Sequence, residues 1–253
     1  AKEVEILMLH LLEKNTIWLH LNYNVEFEKE KELEVLVKKR ATNYPLEYII
    51  NKASFYGEMF IVKEGVLIPR PETEILVENA IEILKDKKEI KVLEIGTGSG
   101  IISVMLAMLI ENIKIIAVDI NEKALDLAKQ NAIKHGVENK IEFRLSNLYE
   151  NVQENDIFMT ISNPPYIANN YILPTNVKYE PSNALFGGVV GDELLKDIIK
   201  ATSEKKIPYL LCEMGYDQKA PLENYFKEFN VESYSFYKDY ESFDRGFTLK
   251  FKN

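Results

Sequence analysis

The 253-residue sequence contains one cysteine, Cys212, and three histidines, His10, His20 and His135, standing far apart. A single cysteine excludes an internal disulfide, and the scatter of histidines excludes a cysteine- and histidine-rich zinc site. The expectation is a metal-free cytoplasmic protein. Long hydrophobic runs are missing too: IISVMLAMLI, ending at Ile110, is too short to span a bilayer. The N-terminal stretch AKEVEILMLHLLEKN carries glutamates where a secretory signal has a basic and then an apolar region, so neither export nor membrane insertion is expected. Positive charge is also in deficit. With 31 Lys and Arg against 40 Asp and Glu, the net charge of -9 disfavours a protein whose main work is gripping a phosphate backbone. That affinity comes from counterions displaced by basic groups.

What the chain does have is enough apolar content, 46%, for one large domain or a large one with a small one. Residues 1–50 read as helices: Val4, Leu7 and Leu11 share a face, Leu33, Leu36 and Val37 recur among charges, and Asn43 with Pro45 marks another helix start. Residues 51–68 change character. SFYGEMFIVKEGVLI is aromatic and β-branched, with Gly57 and Gly65 as punctuation, and predicts a β-hairpin linker. Residues 69–253 open on PRPETEILVENAIEILK, which predicts a helix with Pro71 at its first position, Glu72 and Glu74 near its positive end, and Val77, Ile81 and Leu84 on one face.

From Lys91 onward, short apolar runs alternate with amphipathic ones, through KVLEIG, KIIAVDI, KIEFRLS, DIFMTISN and IPYLLCEMG. This is the pattern of a doubly wound α/β sheet with crossover helices on both faces. VESYSFY and GFTLKF close the chain without a helix between them and predict antiparallel strands at the sheet edge. The fold class is therefore α/β: a Rossmann-like seven-stranded domain preceded by a small helical domain and a hairpin linker.

Two turns carry the chemistry. In EIGTGSGI, Gly96, Gly98 and Gly100 let the backbone bend tightly and approach a ligand. Where a dinucleotide fingerprint wants its third glycine the chain has Ile101, so nicotinamide binding is disfavoured. Asp119 ends the next strand, where a carboxylate can accept from both hydroxyls of a ribose, or alternatively cap the helix starting near Glu122. Further on, Asn163, Pro164, Pro165 and Tyr166 follow an apolar strand running from Ile157 to Ile161. Two prolines donate no backbone hydrogen bonds and leave a stiff loop with free carbonyls. An amide before them and a ring behind suit a planar hydrogen-bonding target, although NPPY alone also reads as a rigid turn with a capping Asn.

Glycine turn, acidic strand end and NPPY loop together resemble the Rossmann-like methyltransferases that use S-adenosylmethionine. The resemblance implies that Glu94, Gly96, Thr97, Gly98, Ser99, Gly100, Asp119, Asn147, Leu148 and Asn163 hold the cofactor, with Glu94 near its methionine part. Asn147 falls where that family often has an acidic residue facing the adenine. It further implies that Asn163 and Pro164 accept hydrogen bonds from an NH2 group while Tyr166 stacks on it, with Pro165 completing the substrate site. Such loops serve both adenine-amino methyltransferases acting on DNA or RNA and enzymes that methylate glutamine. A non-catalytic adenosylmethionine-binding adapter is a further alternative.

VLIPRPETEILVE (Val66 to Glu78), YEPSNALFGGVVGDELLKDII (Tyr179 to Ile199) and LLCEMGYDQ (Leu210 to Gln218) resemble the protein-(glutamine-N5) methyltransferase family that modifies bacterial peptide-chain release factors. NYPLEYII and FYGEMF add to the likeness. This second resemblance implies that the acceptor is the glutamine of the Gly-Gly-Gln motif of class 1 release factors. It also implies that the helical domain helps dock that protein, and with the net charge of -9 no direct nucleic-acid binding is expected. Read without that resemblance, IPRPETE is only a helix start with Arg70 pairing internally, EPSNALFGG only a turn, and Cys212 a core residue.

Overall fold

The structure is a computed structural model and describes residues 2–252. Four helices open it: α1 (Lys2–Leu12), α2 (Thr16–Leu21), α3 (Glu30–Ala41) and α4 (Leu46–Ile50). Their small core gathers Leu7, Tyr44, Tyr48 and Ile49, with Leu33, Leu36 and Val37 packed against it. Of the stripe expected on α1, Leu7 is buried whereas Val4 is exposed. Pro45 stands at the N-terminal cap of α4, where its missing N–H costs nothing. The next two strands, β1 (Lys52–Phe55) and β2 (Glu58–Ile61), pair antiparallel around Tyr56 and Gly57. Both turn residues have positive φ, as a two-residue hairpin of matching twist requires.

The hairpin is tied to the helices by side chains: Glu74 accepts from Tyr56 N, Lys134 donates to Met59 O, and Asn131 holds both backbone groups of Ile61. Asn131, fully buried, accepts from Ile61 N at 2.7 Å and donates to Ile61 O at 3.0 Å and to Ser99 O at 2.8 Å. It thereby fastens β2 to the glycine turn.

The remainder comprises α5 (Thr73–Leu84), β3 (Ile90–Ile95), α6 (Ile101–Leu109), β4 (Ile113–Asp119), α7 (Glu122–Lys134), β5 (Ile141–Leu145), β6 (Met159–Ser162), β7 (Ile167–Ala168), β8 (Phe186–Gly188), α8 (Glu193–Glu204), β9 (Tyr209–Glu213), α9 (Lys219–Phe226), β10 (Val231–Lys238) and β11 (Asp244–Phe251). Seven strands form one sheet in the order β10-β11-β9-β6-β3-β4-β5. β9, β6, β3, β4 and β5 run parallel, while β11 pairs antiparallel with both β9 and β10, as the helix-free C-terminal run predicted.

Alternation along the strands feeds two cores. Val92, Ile115, Met159 and Ile161 pack with Leu76, Val77, Leu84 and Leu106 of α5 and α6 on one face. Leu93, Ile95, Val118 and Cys212 pack with Ile198, Leu222 and Phe226 of α8 and α9 on the other. Each such fully buried aliphatic or aromatic side chain contributes about 1.5–3 kcal/mol, which is why the parallel strands read as nearly continuous apolar runs.

Two boundaries differ from the sequence expectation. The segment Arg70 to Glu72 forms a tight turn, with Thr73 N bonding Arg70 O and Glu74 N bonding Pro71 O, so α5 begins at Thr73 rather than at Pro71. Pairing of β6 with β3 starts at Met159 opposite Val92, leaving Ile157 buried but outside the strand.

Register fixes the site. β3 lies between β6 and β4, and the chain reverses its direction of growth across the sheet there, which makes the crevice beyond these strand ends the expected ligand position. Ile95 is opposite both Val118 and Ser162, and Ser162 is opposite Cys212. One residue further on, Gly96 and Asn163 leave their strands beside Asp119 and Glu213, the last residues of β4 and β9.

Candidate active site

Gly96 and Thr97 hang from Val118 O by their backbone N–H groups, at 2.9 and 3.0 Å. The Asp119 carboxylate accepts from Gly98 N and from Asn121 N, both at 2.9 Å, and braces the glycine turn against the next loop. Asn121, not Asp119, caps α7, through a bond from Lys123 N. Burial pushes the Asp119 carboxyl above the ordinary range, against the opposing pull of these backbone bonds. Gly100 has φ +81°, and a Cβ there would lie 2.9 Å from Ala128 Cβ, so this glycine permits α6 and α7 to meet.

Glu94 is fully buried at the end of β3. Its Oε2 accepts from Thr97 Oγ at 2.8 Å, Ser103 N at 3.2 Å and the Ser103 hydroxyl. Its Oε1 is buried without a partner. Burial raises the carboxyl to about 7, although the Ser103 and Thr97 bonds pull the other way.

A cleft runs over these groups, lined by Val66, Gly96, Gly98, Asp119, Ser146, Asn147, Leu148, Asn163 and Pro165, among others. A small adjoining recess is lined by Glu94, Thr97, Ser99, Thr73 and Asn163. Gly100 lines neither. Asn147 gives its Nδ2 to Glu150 at 2.9 Å, which places a carboxylate beside the position where the resembling family has an acidic residue.

Beyond Asn163 opens a larger cavity of about 420 Å³, lined by Arg70, Pro164, Pro165, Tyr166, Tyr171, Leu185, Tyr216 and Arg245 among others. Asn163 and Leu67 line all three spaces, so both sit where cleft and cavity meet. The NPPY backbone is held from two sides. Gln218 donates to Tyr166 O at 2.9 Å and accepts from Gly215 N at 2.8 Å. A Cβ on Gly187 would fall 2.4 Å from Pro165 O, so the EPSNALFGG stretch packs there backbone to backbone. Glu180 of that stretch pairs with Arg70 at 2.5 Å and accepts from Ile68 N at 3.0 Å. Arg70 is thus internally paired, with a partner from the second of the three family-like stretches.

One further group at the site has no assignment from the sequence. Asn163 Nδ2 donates to Thr73 Oγ1 at 3.0 Å, and Thr73 Oγ1 donates to Glu213 Oε2 at 2.5 Å. Tyr166 OH donates to Glu213 Oε1 at 3.2 Å. Burial raises Glu213 to about 7 and Tyr166 further above its ordinary value. The signal available in the sequence is the position of Glu213, an acid ending an apolar strand as Asp119 does and as Glu94 nearly does. Among the described residues no cluster of three His, Cys, Asp or Glu is grouped to hold a metal, and no helix is long and apolar enough to cross a membrane.

The residues present fit S-adenosylmethionine. Glu94, which lines the recess, has a buried carboxylate oxygen without a partner, an acid stands at the end of β4, and the glycine turn keeps the cleft floor free of side chains. This sheet order, with the site beyond β3, β4 and β6, defines a Rossmann-like methyltransferase. The comparisons with known proteins agree. A family model described as Methyltransferase small domain matches residues 72–177, and one described as PrmC N-terminal domain matches residues 1–50. The release factor glutamine methyltransferase of Aquifex aeolicus (strain VF5) is 36% identical over 256 aligned residues, 96% of this chain and 89% of that protein. That of Dictyoglomus turgidum (strain DSM 6724 / Z-1310) is 38% identical over 251 residues, 94% of this chain and 88% of that protein. The chain belongs to the release factor glutamine methyltransferase family. Among solved structures, the human METTL16 catalytic domain in complex with the MAT2A 3'UTR hairpin 6 superposes with a TM-score of 0.60 at 16% identity, covering 75% of this chain and 74% of that one. At that identity the likeness concerns the fold.

Proposed function

We propose that the chain transfers a methyl group from S-adenosylmethionine to the side-chain amide nitrogen of the glutamine in the Gly-Gly-Gln motif of class 1 release factors. The observation that carries this reading is the position of Asn163 at the junction of the glycine-floored cleft and the cavity beyond the NPPY loop. Family membership supplies the substrate class.

When bound, S-adenosylmethionine supplies an electrophilic methyl group on a sulfonium centre. The chain's own task is to hold and aim the acceptor. A carboxamide nitrogen is a poor nucleophile because its lone pair is delocalised into the carbonyl, so orientation has to provide much of the help. Asn163 Oδ1 and the Pro164 carbonyl accept the two N–H bonds of the glutamine. Both acceptors gain strength as positive charge develops on that nitrogen. Tyr166, fixed by its bond to Glu213, presents its ring to the flat amide. Asp119 receives the ribose hydroxyls, Glu94 the ammonium of the methionine part, and Asn147 and Leu148 border the adenine. The helical region, with Ile17, Leu21, Tyr23 and Val25 exposed, docks the protein substrate.

The test uses methyl-labelled S-adenosylmethionine with a class 1 release factor, the same factor carrying Gly-Gly-Glu, and mixed DNA and RNA. Label is expected on the first protein only, since a glutamate carboxylate offers no NH2 to the two acceptors. Label in nucleic acid, or equally in the glutamate form, overturns the assignment of substrate. No label anywhere, with cofactor bound, favours an adapter.

A further inference from the structure

We infer that Thr73 and Glu213 are positioning residues that decide which end of the Asn163 amide faces the acceptor. This rests on the proposed role of Asn163 and extends it. A carboxylate only accepts, so both hydroxyls that touch Glu213 must point their single protons at it. The Thr73 proton is committed to Glu213 Oε2. Thr73 Oγ1 can then only accept from Asn163, and the atom facing it is Nδ2. The amide carbonyl, Oδ1, is thereby left for an incoming N–H. An amide turned over would bring Oδ1 against Thr73 with no proton between them, and would offer a donor to a substrate nitrogen that needs an acceptor.

The chain of bonds has a direction only while Glu213 is ionised. A protonated Glu213 can donate to Thr73, which frees the Thr73 proton to turn toward Asn163 and allows the reversed amide. The groups facing Glu213 come from four elements. Thr73 and Glu72 belong to α5 and the turn before it, Tyr166 to the NPPY loop, Arg245 to β11 and Tyr237 to β10. The Arg245 charge favours the ionised form, and burial opposes it. Thr73 and Glu213 are both fully buried, so water does not replace either link.

The experiment compares wild type with Thr73→Val, Thr73→Ser and Glu213→Gln at saturating S-adenosylmethionine. It reads kcat and KM for release factor, cofactor affinity by calorimetry, and kcat against pH. Thr73→Val removes the relay with little change of shape, and Glu213→Gln removes its enforced direction. Each is expected to lower kcat by about tenfold or more while cofactor affinity stays within about twofold. Thr73→Ser, which keeps the hydroxyl, restores kcat to within about threefold of wild type. Wild-type kcat falls as pH drops below about 7, and Glu213→Gln lacks that fall.

A Thr73→Val enzyme with wild-type kcat overturns the inference, as does a Thr73→Ser enzyme no better than Thr73→Val, which would mean that the site serves packing. If Thr73→Val fails to bind cofactor, Glu213→Gln decides by the same kcat criterion. A second arm needs no substrate. In 15N-asparagine-labelled protein the Asn163 side-chain protons, assigned through Asn163→Ala, exchange slowly with water in wild type and faster in Thr73→Val. Equal exchange in the two proteins contradicts the hydrogen-bond chain. A wild type that leaves release factor unmethylated while retaining slow exchange counts against the proposed substrate alone.

Discussion

Glu94 and Glu213 lie in the last two residues of two strands of the same sheet, both fully buried and both raised by burial to about 7, yet their surroundings are opposite. Glu213 has a hydroxyl on each oxygen, and Tyr166 and Thr73 close it off. Glu94 gathers its partners on Oε2 and leaves Oε1 bare. An incomplete set of bonds around a buried carboxylate is costly unless a ligand completes it. The cofactor side of the crevice is thus built to be finished by what binds, and the acceptor side is finished in advance so that one amide is held in one orientation.

That contrast is broken most sharply at Asn163, which stands between the two sides. Asn163→Ala should lower kcat by about 10²–10³-fold, the usual loss when one preorganised acceptor or donor is removed, with at most a modest loss of cofactor affinity. Near-wild-type turnover would take Asn163 out of the chemistry.

The two carboxyls also set a pH dependence of stability. Their ordinary value is 4.5, and in the folded protein both lie near 7, so between these limits the folded chain holds more protons than the unfolded one. Their contribution is fully present below the lower limit and is lost as pH rises through the upper one, by up to about 3 kcal/mol for each group. Urea unfolding at pH 5 and pH 8 should show this fall in wild type and a smaller one in Glu94→Gln. Saturating cofactor should diminish it further on the Glu94 side and leave the Glu213 share untouched. An identical pH dependence in wild type and Glu94→Gln would show that Glu94 is not held in this way.

Asp119→Ala should weaken cofactor binding by roughly 1.5–3 kcal/mol through loss of a charged acceptor. Its bonds to Gly98 and Asn121 disappear as well, so the loss should be read by calorimetry together with a thermal melt. Unchanged affinity would remove Asp119 from the site. The smallest effect is expected at Gly100. Gly100→Ala forces a methyl group against Ala128 and should lower stability by about 1–3 kcal/mol. Affinity per folded molecule should hardly change, since Gly100 lines neither the cleft nor the recess, and a selective loss of cofactor binding would return it to the site.

How far the sequence can be read depends on the range of each signal. The alternation of strands and helices, the glycine turn, Asp119 and NPPY are local patterns, and the structure puts each at the strand end where the pattern places it. The start of α5 departs from its pattern because Pro71 suits a first helical turn, whereas the bonds from Thr73 to Arg70 and from Glu74 to Pro71 close a separate turn first. The acceptor-side chain is illegible for a different reason. Thr73 lies 140 residues from Glu213 and 90 from Asn163, and only the order of strands brings them together. Arg70 and Glu180, 110 residues apart, are likewise visible as family-like stretches but not as a pair. The glycine at position 100 is legible as a need for a small residue, but not whether ligand or helix imposes that need.

The most direct measurement is a structure of the chain with the demethylated cofactor product and a peptide bearing Gly-Gly-Gln. The account predicts the glutamine side-chain nitrogen within hydrogen-bond distance of Asn163 Oδ1 and the Pro164 carbonyl, with Asn163 Nδ2 still on Thr73. A glutamine bound away from the junction of cleft and cavity, or an Asn163 amide presenting Nδ2 to the substrate nitrogen, would contradict it.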